Sequence, residues 1–196
     1  MGTGRNALQE GVNTVSNPLY TKLTDGDNPL GIDQATRILM AMDYEHHEIH
    51  EGDHYTLCGH ASLGLNAIID IIIRTPNIAT WGHFIWEIDI TQSTQVDIYE
   101  GASGISGGST LIPLNNNRNS SNTSIMTIIQ NPSSIVSTGT LLPLSKVIGA
   151  NRSAGQDNRN KEIILKQNSI YLMRGTSLAA ANTLNYCLSW YEHESY

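Results

Sequence analysis

A run of twelve residues in the first third of this chain concentrates the side chains that could do chemistry. Residues 43–54 contain five carboxylates and four imidazoles, without one lysine or arginine. Histidine is a common metal ligand that titrates near neutral pH, and carboxylates beside it favour its protonated form. The run therefore predicts a metal site, a pH-responsive surface, or a polar surface that hydrogen-bonds to a neighbouring chain.

The run does not match the helix of a zinc metalloprotease. That motif needs two histidines four residues apart, with a glutamate directly after the first. His46 and His50 have the spacing, but His47 follows His46. His47 is followed by a glutamate, yet His50 is only three positions after it, so the two rings would diverge on a helix.

We expect the run to form an exposed strand, with His46, Glu48 and His50 on one face. Alternate residues of a strand are about 6.6 Å apart and could share an ion, whereas His46 and His50, about 13 Å apart, could not. With His54, these residues form a patch suited to an inter-subunit contact or a metal ion. The interpretation we prefer is a polar contact surface without catalytic residues and without a resident metal or cofactor.

Composition excludes several classes of partner. The net charge is −7, and only 15% of the residues are charged. Binding to nucleic acid or to an anionic membrane needs clustered lysine and arginine, and the chain has no such cluster. Its glycine-rich segments also lack the Gly-Lys-Ser/Thr of a phosphate loop. We therefore expect no nucleic-acid partner, no membrane contact and no nucleotide cofactor.

Residues 1–40 are predicted to form an extended N-terminal arm. They combine glycines, prolines and turn-forming Asp-Gly and Asn-Pro pairs, and they have no apolar period long enough to build a core. Such a segment becomes ordered only against another surface. We expect it to bind a neighbouring subunit by adding to a sheet edge, through its apolar side chains: Leu19, Tyr20, Leu23, Leu30 and Ile32.

Residues 41–196 are predicted to form one all-β domain. In Thr80–Ile90 and in residues 183–191, apolar side chains recur at every second position, and Trp86 and Trp190 fall on the inward faces. About nine or ten such segments alternate with turn-forming loops, including residues 115–122 and 149–160. This pattern is typical of an antiparallel β-sandwich or jelly roll. The 39% apolar content suffices for a core.

The two cysteines, Cys58 and Cys187, are far apart in sequence, and both lie in predicted strands. The interpretation we favour is a pair of buried free thiols that pack as small apolar side chains. A disulfide would require the two strands to be neighbours.

Three separated segments together resemble a family of small virion proteins of tailed phages. They are residues 44–54 (YEHHEIHEGDH), residues 115–120 (NNNRNS), and the ending made by residues 164–168, 171–174 and 188–193. The resemblance spans about residues 43–193 and leaves the arm out. It implies a β-sandwich component of the particle, with capsid decoration or cement as its role, and no catalytic residues.

The resemblance also implies partners and a location. These are the major capsid protein and further copies of the same chain, as a homotrimer or homodimer, on the surface of a capsid assembled in the host cytoplasm. Two other roles stay open. One is a neck or tail adaptor, or a fibre-associated module that binds a host glycan through the loops 115–122 and 149–160. The other is a metal-dependent enzyme that uses His46, Glu48 or His50.

Overall fold

The computed structural model describes residues 24–25, 28–29, 44–150, 152–155 and 162–194. The chain divides into two compact units, Met1–Met42 and Asp43–Tyr196. In the first unit, strands β1 (Thr24–Asp25) and β2 (Asn28–Pro29) pair antiparallel. The arm residues predicted to bind a neighbour lie outside the described residues: Leu19, Tyr20, Leu23, Leu30 and Ile32.

The described part of the second unit consists of one short helix and a series of strands. In chain order these elements are α1 (Tyr44–Glu51), β3 (His54–Leu63), β4 (Ile68–Arg74), β5 (Thr80–Ile90), β6 (Thr94–Glu100), β7 (Ser109–Leu111), β8 (Leu114–Asn115), β9 (Thr127–Gln130), β10 (Thr140–Leu141), β11 (Lys146–Ile148), β12 (Arg152–Gly155), β13 (Ile163–Leu165), β14 (Ile170–Ser177) and β15 (Asn182–Glu194).

These strands form two antiparallel sheets packed face to face, so the predicted all-β sandwich is confirmed. The first sheet has the order β10-β6-β14-β4-β9-β7, with β11 also paired to β6. The second has the order β12-β5-β15-β3-β8, with β13 also paired to β5. The long strand β15 lies in the middle of the second sheet, between β5 and β3.

The main core lies between the two sheets and comes from the alternation seen in the sequence. On β5 and β15, the predicted inward side chains are all buried, and Trp86 and Trp190 are 1% and 0% exposed. Tyr55 and Phe84 lie beside Trp190, with ring centroids 6.0 and 6.1 Å from it. Burial of these large side chains supplies much of the hydrophobic driving force for folding.

Strand β4 is apolar on both faces because it contributes to two cores. Ile71 and Ile73 face the other sheet. Ile72 points the opposite way, into a second, smaller cluster with Leu172 and Ala102. Loop residues cover this outer face, since the glycine-rich segment 101–108 bridges to the segment 133–137. This explains why the apolar run of β4 does not alternate.

The prediction of two free cysteines is wrong. Cys58 and Cys187 lie directly opposite each other in the β3–β15 pair and form a disulfide. Cys58 is exposed rather than buried, because its side chain lies on the outer face of the second sheet. The two strands are neighbours in the sheet although 129 residues separate the cysteines in sequence.

Candidate functional site

One end of the sandwich gathers nearly all the histidines of the chain. It is built from α1, the start of β3, the segment 115–125, and the end of β15 with the part of β5 beside it. Of the seven histidines, all except His60 lie here: His46, His47, His50, His54, His83 and His193. We call this region the histidine-rich end.

The predicted strand over residues 43–54 is wrong, because most of the run forms the helix α1. The helix ends at Glu51, and the amide of the next residue, Gly52, donates to the carbonyl of Glu48 at 3.1 Å. Gly52 has a φ of +85°, which favours glycine at a helix C-terminus. As a result, His46, Glu48 and His50 do not share one exposed face: Glu48 is 4% exposed, whereas both histidines are exposed.

His54 also differs from the prediction, because its side chain is only 2% exposed. Its Nε2 atom lies 3.0 Å from a carboxylate oxygen of Glu45 in α1. Its Nδ1 atom lies 2.7 Å from the side-chain amide of Asn116, and the hydroxyl of Ser189 lies 3.3 Å from Nε2. His54 therefore joins the helix, β15 and residues 115–122, which we call the asparagine-rich segment, instead of forming part of an exposed patch.

The asparagine-rich segment is fastened to the helix by side-chain amides. Asn115 donates to the carbonyl of Gly52 at 2.7 Å, and Asn117 donates to the carbonyl of His50 at 3.0 Å. Asn122 donates to a carboxylate oxygen of Asp53 at 3.0 Å. Side-chain bonds of this kind satisfy backbone groups at the end of a helix, so the segment acts as a brace for α1.

A pair of histidines, His83 and His193, links β5 to the end of β15. The Nε2 atoms of His83 and His193 are 2.7 Å apart, so one of them carries the hydrogen of an N–H···N bond. His83 also bonds through Nδ1 to Glu162 at 2.7 Å, and its ring stacks on that of Tyr191 with centroids 4.5 Å apart. This pair holds the C-terminal part of β15 against its neighbour.

A polar cleft of about 510 Å³ opens at the same end of the sandwich. Its lining is rich in carboxylates, hydroxyls and amides, and consists of Asp53, Tyr55, Thr80, Ser121, Asn122, Thr123, Ile125, Glu192, His193 and Glu194. Such a lining offers many hydrogen bonds to a polar ligand.

Glu192 is the most unusual group of the cleft, since its side chain is almost completely buried. The carboxylate accepts hydrogen bonds from Ser124 Oγ at 2.6 Å, from the amide of Ile125 at 3.0 Å and from Trp190 Nε1 at 2.8 Å. Burial nevertheless raises the pKa of Glu192 above its ordinary value, and these bonds offset only part of that rise. Glu192 was not among the predicted site residues; the signal in the sequence was a glutamate that continues the alternation of the inward side chains Leu188 and Trp190.

A further motif in the sequence has an unexpected context. Residues 104–108 spell Gly-x-Ser-x-Gly, a pattern that in serine hydrolases places the serine on a tight turn between a strand and a helix. Here Ser106 lies in the loop that covers the second core and forms an isolated bridge with Ser134. Among the described residues no helix follows it, so the local structure is not that of a nucleophile elbow.

No group of three or more His, Cys, Asp or Glu side chains is arranged to hold a metal ion within the described ranges. Nor does any described helix have the length and apolar character needed to cross a membrane.

Two of the three segments quoted for the resemblance, and residues 188–193 of the third, lie at the histidine-rich end, whereas residues 171–174 lie on β14 in the first sheet. Residues 44–54 form α1 and the start of β3, residues 115–120 brace them, and β15 contributes Ser189 and Trp190. Comparisons with models of known protein families, with curated proteins and with solved structures find no match to this chain.

Proposed function

We propose that this chain is a non-enzymatic structural protein of a tailed-phage particle, a decoration or cement protein of the capsid. In this proposal the sandwich and the N-terminal segment 1–40 contact neighbouring subunits of the major capsid protein. The protein thereby adds bonds across subunit boundaries without entering the shell itself. The partners are the major capsid protein and further copies of this chain, as a homotrimer or homodimer.

The observation that carries the proposal is a contact between parts of the three resembling segments. Residues 44–54, 115–120 and 188–193 are separated by at least sixty residues in sequence, yet their side chains form one hydrogen-bonded framework around His54. Residues 171–174 belong to the third segment but lie on β14 in the first sheet. The contact supports the proposal for the part of the resemblance that forms this framework.

Two features of the chain, its disulfide and its second attachment segment, suit a protein of a particle that is released from its host cell. Disulfides persist in oxidising surroundings outside cells and are rare in reducing cytoplasm. The exposed bond between Cys58 and Cys187 would form or persist once the particle is released. A rigid body with a second attachment segment also gains avidity, because the second contact becomes effectively intramolecular.

Co-sedimentation with undecorated capsids tests the proposal. Full-length protein is mixed with purified shells, and the bound copies are counted as a function of concentration. Saturable binding at many copies per shell, strongly weakened when residues 1–40 are removed, is the expected result. A chain that lacks residues 1–40 but still unfolds cooperatively serves as the control for folding. Absence of binding by the full-length chain would overturn the cement role.

The cleft at the histidine-rich end favours a second candidate, a neck, tail or fibre-associated module that binds a host glycan. Its volume of about 510 Å³ and its carboxylate, hydroxyl and amide lining suit a saccharide better than an apolar ligand. Titration of the protein with cell-surface glycans of the host tests this role. Binding that is lost in Asn122→Ala and retained in His60→Ala, a variant on β3 away from the cleft, would favour it over cement.

A further inference from the structure

We propose that His46 and His50 form a two-histidine site for a divalent transition-metal ion, such as Zn²⁺, on the exposed side of α1. The proposal rests on the geometry of the helix and does not depend on the proposed virion role. The two histidines lie close together because residues 44–51 are helical. On a strand, the same two side chains would be far apart.

The distance between the two imidazoles fits joint ligation of one ion. Their Nε2 atoms are 3.1 Å apart, and the ring centroids are 4.8 Å apart with the rings close to perpendicular. Zinc binds histidine nitrogen at about 2.0–2.1 Å. Two such bonds place the nitrogens about 2.9 Å apart at a right angle and about 3.3 Å apart at the tetrahedral angle. The observed separation lies between these values. It is also the length of an N–H···N hydrogen bond between the two rings, which a bound ion would replace.

The spacing of four residues explains why the side chains of His46 and His50 lie next to each other. Residues i and i+4 lie one above the other on a helix face. His47 is rotated by about 100° from His46, and its ring lies 3.6 Å from a carboxylate oxygen of Glu51. Glu48 is buried, and His54 is held between α1 and the asparagine-rich segment. Among the histidines of α1, His46 and His50 are the pair whose Nε2 atoms lie side by side on an exposed face.

The chemistry of the surroundings selects the class of ion. Two imidazole nitrogens suit zinc, copper and nickel, whereas calcium and magnesium prefer oxygen ligands. Residues 43–54 contain five carboxylates and no lysine or arginine, so a cation meets no fixed positive side chain within this run. Water would complete the coordination, because no third protein ligand lies at the site within the described residues. We therefore expect weak, exchangeable binding instead of a permanent structural ion.

Titration of metal-free, full-length protein with Zn²⁺ by calorimetry tests the site. We expect one site whose affinity falls at least about tenfold in His46→Ala and in His50→Ala, since loss of even an outer-shell partner costs about 10–100-fold. The matched control is His47→Ala, one position away on the same helix, which should bind as the wild type does. Alanine is the strongest helix former, so none of these three substitutions should weaken zinc binding by unwinding α1.

A spectroscopic measurement identifies the ligands directly. Cu²⁺ in the same site should give an electron paramagnetic resonance spectrum with two coordinated imidazoles in the wild type and one in either single variant. Unchanged zinc affinity in both His46→Ala and His50→Ala would overturn the proposal. So would binding that disappears in His83→Ala or His193→Ala instead, and so would the absence of any zinc binding up to millimolar concentration.

Discussion

Cys58 and Cys187 face each other across the β3–β15 pair and form a disulfide, with their Cα atoms 4.1 Å apart. Strand β3 is the first long strand of the sandwich, and β15 is the last. The bond therefore closes a loop that contains most of the domain, with a sequence separation of 129 residues. It ties the two ends of the sandwich sequence together within one sheet.

Removal of this disulfide should lower the stability of the sandwich. In the loop-entropy model, a closed loop of this length stabilises the folded state by about 4–5 kcal/mol. We expect Cys58→Ser/Cys187→Ser to lose about 2–5 kcal/mol of unfolding free energy in urea denaturation. Dithiothreitol should lower the wild type to the same level and leave the double variant unchanged. A wild-type protein whose unfolding free energy does not change with dithiothreitol would contradict this prediction.

His54→Ala should destabilise the histidine-rich end although the residue takes part in no reaction. The substitution removes contacts with Glu45, Asn116 and Ser189 and leaves these part-buried polar groups without their partner. We expect a loss of about 2–4 kcal/mol in unfolding free energy. His60 lies on the same strand and is exposed, so His60→Ala should change stability by less than about 0.5 kcal/mol. An equal change of unfolding free energy in the two variants would show that the contacts of His54 do not stabilise the histidine-rich end.

Much of the sandwich could be predicted because strands with one buried face leave a period of two in the sequence. The burial of Trp86 on β5 and Trp190 on β15 follows directly from that period. The pairing of Cys58 with Cys187 could not be predicted, since alternation assigns a face to each residue but does not say which strands are neighbours. That choice depends on tertiary packing across more than a hundred residues.

The candidate site was harder to predict than the fold. Helix α1 consists mainly of histidine and glutamate, so it has no apolar stripe with a helical period, and only Gly52 indicated a helix end. The prediction of a strand then placed His46 and His50 far apart. The brace formed by Asn115 and Asn117 depends on contacts between distant segments, and no local pattern encodes such contacts.

The two buried tryptophans should respond differently to phenylalanine. Trp190 donates its indole N–H to Glu192 at 2.8 Å, whereas the buried indole nitrogen of Trp86 has no hydrogen-bond partner among the described residues. Both substitutions remove similar volume, but only Trp190→Phe also takes a donor from a buried carboxylate. We expect Trp190→Phe to cost about 1–3 kcal/mol more than Trp86→Phe in urea denaturation. An equal or smaller cost for Trp190→Phe would mean that this hydrogen bond contributes nothing.

Glu192 should make the sandwich less stable as the pH rises. Burial raises its pKa above the ordinary value near 4.5, so the folded state holds this proton more tightly than the unfolded state. The resulting stabilisation is complete below the unfolded pKa and is lost as the pH rises through the folded pKa. We expect the unfolding free energy of the wild type to fall relative to Glu192→Gln between pH 4 and pH 8. A difference between the two proteins that stays constant over this range would contradict the raised pKa.

Glu100 should make the sandwich less stable as the pH falls, because its pKa is lowered. This pH dependence is opposite to that expected for Glu192. The main cause is a hydrogen bond and ion pair with Lys166, and the hydroxyl of Tyr171 adds a second hydrogen bond at 2.9 Å. The unfolded state therefore binds the proton more tightly than the folded state. The stabilisation is present above the unfolded pKa near 4.5 and is lost as the pH falls through the folded pKa. In acid denaturation between pH 6 and pH 3, the wild type should lose stability relative to Glu100→Gln. Since the pair with Lys166 is partly exposed, high salt should reduce the difference. If the wild type instead became more stable relative to Glu100→Gln as the pH falls, the effect of burial on the pKa of this carboxylate would outweigh that of its two partners.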